Sequence, residues 1–127
     1  MAPEPYNYHV EICRVIDGDS IVADIDLGAK IWLCGQHVRI TSVDTPELHG
    51  PTKGQAEAFT RFTSEWCHQG GPYVLHSESV DSFGRWLGDV HNGRAWLSQD
   101  IMTFGRLRFG VDVTYQAATQ RKKEKKT

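Results

Sequence analysis

The spacing of apolar residues along this chain changes period more than once, and each change marks an element. Tyr8, Val10 and Ile12 alternate with polar neighbours, which predicts a first strand over 8–16. Asp17-Gly18-Asp19 breaks that strand as a turn, because glycine supplies a positive φ and aspartate tolerates one. Ile21, Ala23, Ile25 and Leu27 then face one way and Asp24 and Asp26 the other, so 20–27 is a second strand, in a hairpin with the first. Gly28 and Gly35 bracket Lys30–Cys34, a short apolar piece that reads as a strand or a bulged extension. A third strand over 37–43 has Val38, Ile40 and Ser42 on one face and Arg39, Thr41 and Val43 on the other. Pro46 lacks a ladder donor and holds Thr45 extended, so Asp44-Thr45-Pro46 ends it.

After a loop over 47–54, the period lengthens. Ala58, Phe59, Phe62 and Trp66 form one helical stripe within 55–67, and Gly70-Gly71 is the expected stop. A fourth strand follows over 72–78, a tight connection over 80–85 and a fifth strand over 86–91, with Asn92-Gly93 turning into Arg94-Ala95-Trp96. Residues 97–104 read as a short helix ended by Gly105, and 107–115 as irregular or extended. Three strands, a helix, two strands and a helix suit an α+β, mainly β fold: a five-stranded Greek-key barrel of the OB type with two short helices.

Composition narrows this little. The 127 residues suffice for one domain with a core, and no apolar run is long enough for a membrane helix. We divide the chain into a loose arm over 1–7, a domain over 8–109 and an extension over 110–127 with a basic tail. Cys13, Cys34 and Cys67 are odd in number and far apart, which argues against a disulfide framework or a zinc site. With no signal peptide at the N-terminus, the expectation is a cytoplasmic, reduced monomer. Charge changes the picture more. Residues 121–127 carry five positive charges and one negative; taking them from 14 basic and 16 acidic residues leaves 9 and 15, a formal charge of −6 over 1–120. An acidic body repels nucleic acid, so any such partner needs local arginines, a metal or the tail.

Candidate chemistry lies at the strand ends. An arginine within a strand (Arg39), a carboxylate at its mouth (Asp44) and another past a proline (Glu47) are hard to explain as packing. With Asp17-Gly18-Asp19-Ser20 and Phe83-Gly84-Arg85, they look like a metal and phosphate site. Each piece also has a structural reading: a turn, an Arg39–Asp44 ion pair, a solvated loop, a hairpin. Other motifs fail, since there is no EF-hand loop, phosphate-binding glycine loop or His-Glu-x-x-His, and the six histidines show no ligand spacing.

In order, Val15-Ile16-Asp17-Gly18-Asp19-Ser20, Val38-Arg39, Val43-Asp44-Thr45-Pro46-Glu47 and Phe83-Gly84-Arg85 resemble the staphylococcal nuclease (thermonuclease) family, over roughly residues 8–109. The resemblance implies an OB-fold, calcium-dependent phosphodiesterase acting on DNA and RNA. It implies that Asp19 and Asp44 bind Ca²⁺ through carboxylates and Thr45 through its carbonyl, that Glu47 activates the attacking water, and that Arg39 and Arg85 grip the scissile phosphate. The chain departs from the family at several points. Ser20 replaces a threonine, Phe83 a tyrosine and Ser82 a lysine. The loop after Glu47 is shorter. The family's long C-terminal helix and the aromatic residues before it have no clear counterpart, Tyr115 being an unaligned candidate. The competing expectation is a non-catalytic OB-type module that binds nucleic acid or protein.

Overall fold

Ile21, Ala23, Ile25, Val38, Ile40, Leu75 and Val90 are buried, and they come from four strands that share one interior. The computed structural model describes residues 6–46 and 52–115. The strands are β1 (Tyr6–Asp17), β2 (Ser20–Gly28), β3 (Ile31–Ile40), β4 (Tyr73–Val80) and β5 (Trp86–His91). They close in the order β1-β2-β3-β5-β4, with β4 returning to β1. All pairings are antiparallel except β3 with β5, which is parallel through Val38–Trp86 to Ile40–Gly88. Two helices complete an OB-type barrel: α1 (Lys53–Cys67) and α2 (Leu97–Phe109). Neither is long and apolar enough to cross a membrane.

The helices plug the barrel with aromatic side chains. Phe59 of α1 is fully buried and meets Phe104 at 5.2 Å and Phe109 at 5.8 Å between ring centres. Trp66 donates its indole N–H to Asp100 at 2.8 Å, joining the two helices. Strand β5 starts α2. The Asp89 carboxylate accepts the backbone N–H of Ser98 at 3.1 Å and the Ser98 hydroxyl as well, so an outward strand residue caps the helix. Burial pushes the Asp89 carboxyl above its ordinary value, and the Ser98 donors work against that push.

The barrel and helix order agree with the sequence pattern, while several boundaries differ. Tyr6 and Asn7, expected in a loose arm, belong to β1 and pair with Ser77 and His76. Strand β3 starts at Ile31 and absorbs the short apolar piece, with Gly35 at φ +66° as an irregularity inside it. It ends at Ile40, so Val43 is buried and Ser42 exposed, opposite to the alternation expected for 37–43. On α1 the buried positions are Ala56, Phe59, Thr63 and Trp66, with Ala58 only half-buried. Helix α2 does not stop at Gly105. A Cβ there would lie 2.9 Å from the Phe59 ring, so Gly105 serves close helix packing, and the left-handed cap falls at Gly110. The loop at 47–51 and the tail lie outside the described residues.

Since Phe59 holds both helices on the barrel, Phe59→Ala is expected to cost about 3–5 kcal/mol of stability. Urea denaturation measures this, with a lower midpoint and an unchanged slope as the outcome.

Candidate active site

The site grows from the β1–β2 turn. Asp17 pairs with Ser20, leaving Gly18 and Asp19 as the turn residues. Gly18 does not take the positive φ that the sequence suggested; its role is close approach. A Cβ at Gly18 would sit 2.8 Å from Thr45 Oγ1 and 2.9 Å from Phe59 Cβ. Thr63 of α1 donates its hydroxyl to the Gly18 carbonyl at 2.7 Å, fixing the turn to the helix.

Asp19 is 6% exposed and joins three segments. Its carbonyl accepts Ile40 N–H at 2.8 Å, and its Oδ2 accepts Thr45 N–H at 3.0 Å. The same Oδ2 lies 3.3 Å from Arg39 Nη1. Arg39 Nη2 is 3.6 Å from Asp44 Oδ1, so the guanidinium spans both carboxylates. Arg39 Nη1 also donates to the carbonyls of Ile40 and Val43. The structure therefore brings Asp19, Arg39, Asp44 and Thr45 together, as the sequence predicted. Glu47 lies outside the described residues.

Arg85 arrives from the other side. In the parallel β3–β5 ladder Arg39 pairs with Leu87, and Arg85 stands two residues before Leu87, on the same face. Arg39, Thr41, Asp81, Arg85, Leu87 and Tyr115 line a pocket of about 300 Å³. The 81–85 turn sets the direction of Arg85. Asp81 Oδ1 accepts N–H groups of Phe83 and Arg85 at 3.0 and 2.9 Å, and its Oδ2 accepts Arg85 Nε at 2.8 Å. Partial burial pushes the Asp81 carboxyl up, but the donors from Arg85 and Phe83 outweigh it and leave the group below its ordinary value. With Nε engaged, the two terminal nitrogens of Arg85 have no protein acceptor among the described residues, which suits bidentate contact with an anion such as phosphate. Phe83 itself is 84% exposed beside the guanidinium.

Two of these residues had little or no sequence signal. Asp81 lay in a connection, although its spacing four before Arg85 on a Gly-containing turn is legible afterwards. Tyr115 is placed by long-range pairing: Tyr115 N–H donates to Ser42 at 3.0 Å, Asp44 N–H to Val113 at 2.7 Å, and Val43 bridges to Thr114. A larger pocket, about 520 Å³, lies between α1 and α2 over Phe62, Trp66, Phe104 and Leu107. Its charged lining residues are Asp100, whose carboxylate is taken by the Trp66 indole, and Arg108, whereas two arginines converge on the smaller pocket, so chemistry favours the smaller one.

A hard divalent cation fits the residues present. Asp17, Asp19, Asp44 and the Thr45 carbonyl are oxygen donors of the kind Ca²⁺ takes. The Thr45 hydroxyl is buried with no hydrogen-bond partner. Burial, and then the neighbouring Asp19, push the Asp17 carboxyl up to about 6. Such a cation would share the carboxylates with Arg39. Among the described residues no three His, Cys, Asp or Glu side chains are grouped to hold a metal, so main-chain and water oxygens would complete the shell.

The raised Asp17 carboxyl has a pH consequence. A carboxyl whose folded pKa exceeds its unfolded value favours the fold below about pH 4 and loses that contribution as pH rises through about 6. Asp17→Asn is therefore expected to raise the melting temperature at pH 7.5 and to change it little at pH 4; an equal shift at both would contradict the assigned cause. In comparison with known proteins, no family model matches the chain, and no curated protein does.

Proposed function

We propose that this protein is a metal-dependent phosphodiesterase that hydrolyses DNA or RNA, a reading that its resemblance to the staphylococcal nuclease family supports. The observation that carries it is the convergence of Arg39 and Arg85 on one pocket beside Asp19 and Asp44. A phosphodiester is anionic, and its hydrolysis adds negative charge in the transition state. Two guanidiniums held by Asp19, Asp44 and Asp81 are preorganised donors for that charge. Asp19, Asp44 and the Thr45 carbonyl would hold Ca²⁺, which when bound supplies positive charge to the phosphate. Glu47, the residue after Pro46 in sequence, accepts the proton of the attacking water in this reading. Tyr115 and Thr41 add a phenol and a hydroxyl to the wall of the pocket.

One observation favours a second reading. The Arg39 guanidinium already spans Asp19 and Asp44, and this ion-pair network is complete without a metal. A non-catalytic OB-type module that binds an anionic ligand through Arg85 would look the same.

The test is cleavage of single-stranded and duplex DNA and of RNA with Ca²⁺, with Mg²⁺ and with chelator. Calcium-dependent cleavage is expected, reduced about 10²–10³-fold or more in Arg39→Ala, Arg85→Ala and Glu47→Gln. No cleavage under any metal by a folded protein that still binds oligonucleotide would establish the second reading. Asp81 acts through Arg85, so Asp81→Ala is expected to lower kcat/KM less than Arg85→Ala does. In the double variant the two losses are expected not to add, which a double-mutant cycle measures.

A further inference from the structure

At the end of the barrel away from the candidate site, β2 and β3 run on as a two-stranded ribbon. Strand β1 pairs with β2 no further than Ile25, and β5 pairs with β3 only at Val38–Ile40. Among the described residues no second strand lies beside Ile31–His37, so one edge of β3 has no strand partner; the Cys34 carbonyl there accepts Gln36 Nε2 at 3.1 Å and keeps a second lone pair. The ribbon is also apolar: Leu27, Ile31, Trp32 and Leu33 are 42%, 57%, 41% and 37% exposed. Between Ile31 and Gln36 there is no charged residue and no proline, the usual devices that protect an edge. A tight turn at Ala29 and Lys30, both at positive φ, holds the ribbon out from the body.

We infer that this edge is a self-association surface: two copies of the chain pair antiparallel through β3, about a two-fold axis at Leu33. Main-chain groups with no partner call for an extended strand rather than a helix or a small molecule. Several features point to a second copy as that strand. Residues 1–120 carry a formal charge of −6, and the uncharged 31–36 segment is where two such bodies meet without opposing like charges. Two-fold pairing also covers the same stretch of edge on both copies, whereas an added peptide would present its own outer edge.

The register follows from the turn. Gly28 faces Ile31 across the two-residue loop, with the Gly28 N–H taken by the Asp26 carboxylate at 2.8 Å; a turn with both central residues at positive φ closes from the Ile31 N–H, so by alternation the groups that point away from β2 belong to Trp32 and Cys34. Trp32 of each copy then exchanges hydrogen bonds with Cys34 of the other, and Leu33 faces its own symmetry mate. Gly35, in left-handed conformation, ends the ladder. Four apolar side chains and one short ladder bury much less than the roughly 1,600 Å² of a standard interface, so the dimer is a weak, exchanging one. The Asp19–Arg39 site is at the opposite strand ends and stays open in it. This inference is independent of the proposed catalytic activity.

Sedimentation of the full chain up to about 1 mM, the range of weak complexes, tests it. Mass rising with concentration is expected, with the dissociation constant raised about tenfold or more in Trp32→Glu and in Leu33→Lys. In a Cys13→Ser, Cys34→Ser background, Leu33→Cys is expected to form a disulfide dimer on mild oxidation. Ile31→Cys is expected not to, since the two copies of position 31 are four residues out of register, about 13 Å apart. A monomer at every concentration overturns the inference, as does association that both ribbon variants leave unchanged. Protection of the Trp32 and Cys34 amides from exchange that does not vary with concentration also overturns it, because another part of the same chain would then cover the edge.

Discussion

The buried carboxylate of Asp19 is the constraint on which the rest of the site depends. Burying a carboxylate is unfavourable unless its oxygens are hydrogen-bonded or paired. Here the Thr45 N–H and the Arg39 guanidinium meet that demand. In doing so they bind the β1–β2 turn, the end of β3 and the segment after it into one unit. Arg39 in turn satisfies the carbonyls of Ile40 and Val43, where the chain leaves the ladder and would otherwise bury unpaired acceptors. The network that places the candidate site residues is thus also what ends the strand.

The second side of the pocket depends on barrel topology rather than on local chemistry. Parallel β3–β5 pairing sets Leu87 opposite Arg39 and so puts Arg85 on the same face. The carboxylate of Asp81 then converts a flexible arginine into one with its Nε held and its terminal nitrogens turned outward. The segment after α2 folds back against residues 42–44 and adds Tyr115. Three stretches remote in sequence therefore contribute to one pocket, each fixed by backbone pairing. That is the rigid support that a site for a charged ligand needs.

An acidic body and the proposed phosphate site are compatible because the positive groups are local. Arg39 and Arg85 each sit against carboxylates, which lowers the net field while keeping the donors aimed. Long-range attraction of a polyanion is correspondingly weak, so the proposed recognition would depend on short-range hydrogen bonds. The opposite end of the barrel has another character, a ribbon with exposed apolar side chains whose β3 edge over 31–36 carries no charge. The two ends are separated along the same strands, so contacts at one leave the other accessible.

Local sequence determined the elements wherever a single period runs for several residues. Alternation over 20–27 specifies β2, with Ile21, Ala23 and Ile25 all buried, and the Phe59–Trp66 spacing specifies α1. Arg39, Asp19, Asp44 and Arg85 were legible as candidates because charged residues within strands and at their ends stand out from the apolar alternation around them. Tertiary structure decided what local pattern cannot encode. Gly105 looks like a helix stop, yet it lies inside α2 because Phe59 needs the space of its missing side chain. Gly18 looks like a positive-φ turn residue, yet it is required by the approach of Thr45. Tyr6 joins a strand and Tyr115 enters a pocket only because distant backbone is there to pair with them. Short-range periodicity reflects the geometry of one element, whereas these positions answer to neighbours that only the closed barrel brings within contact.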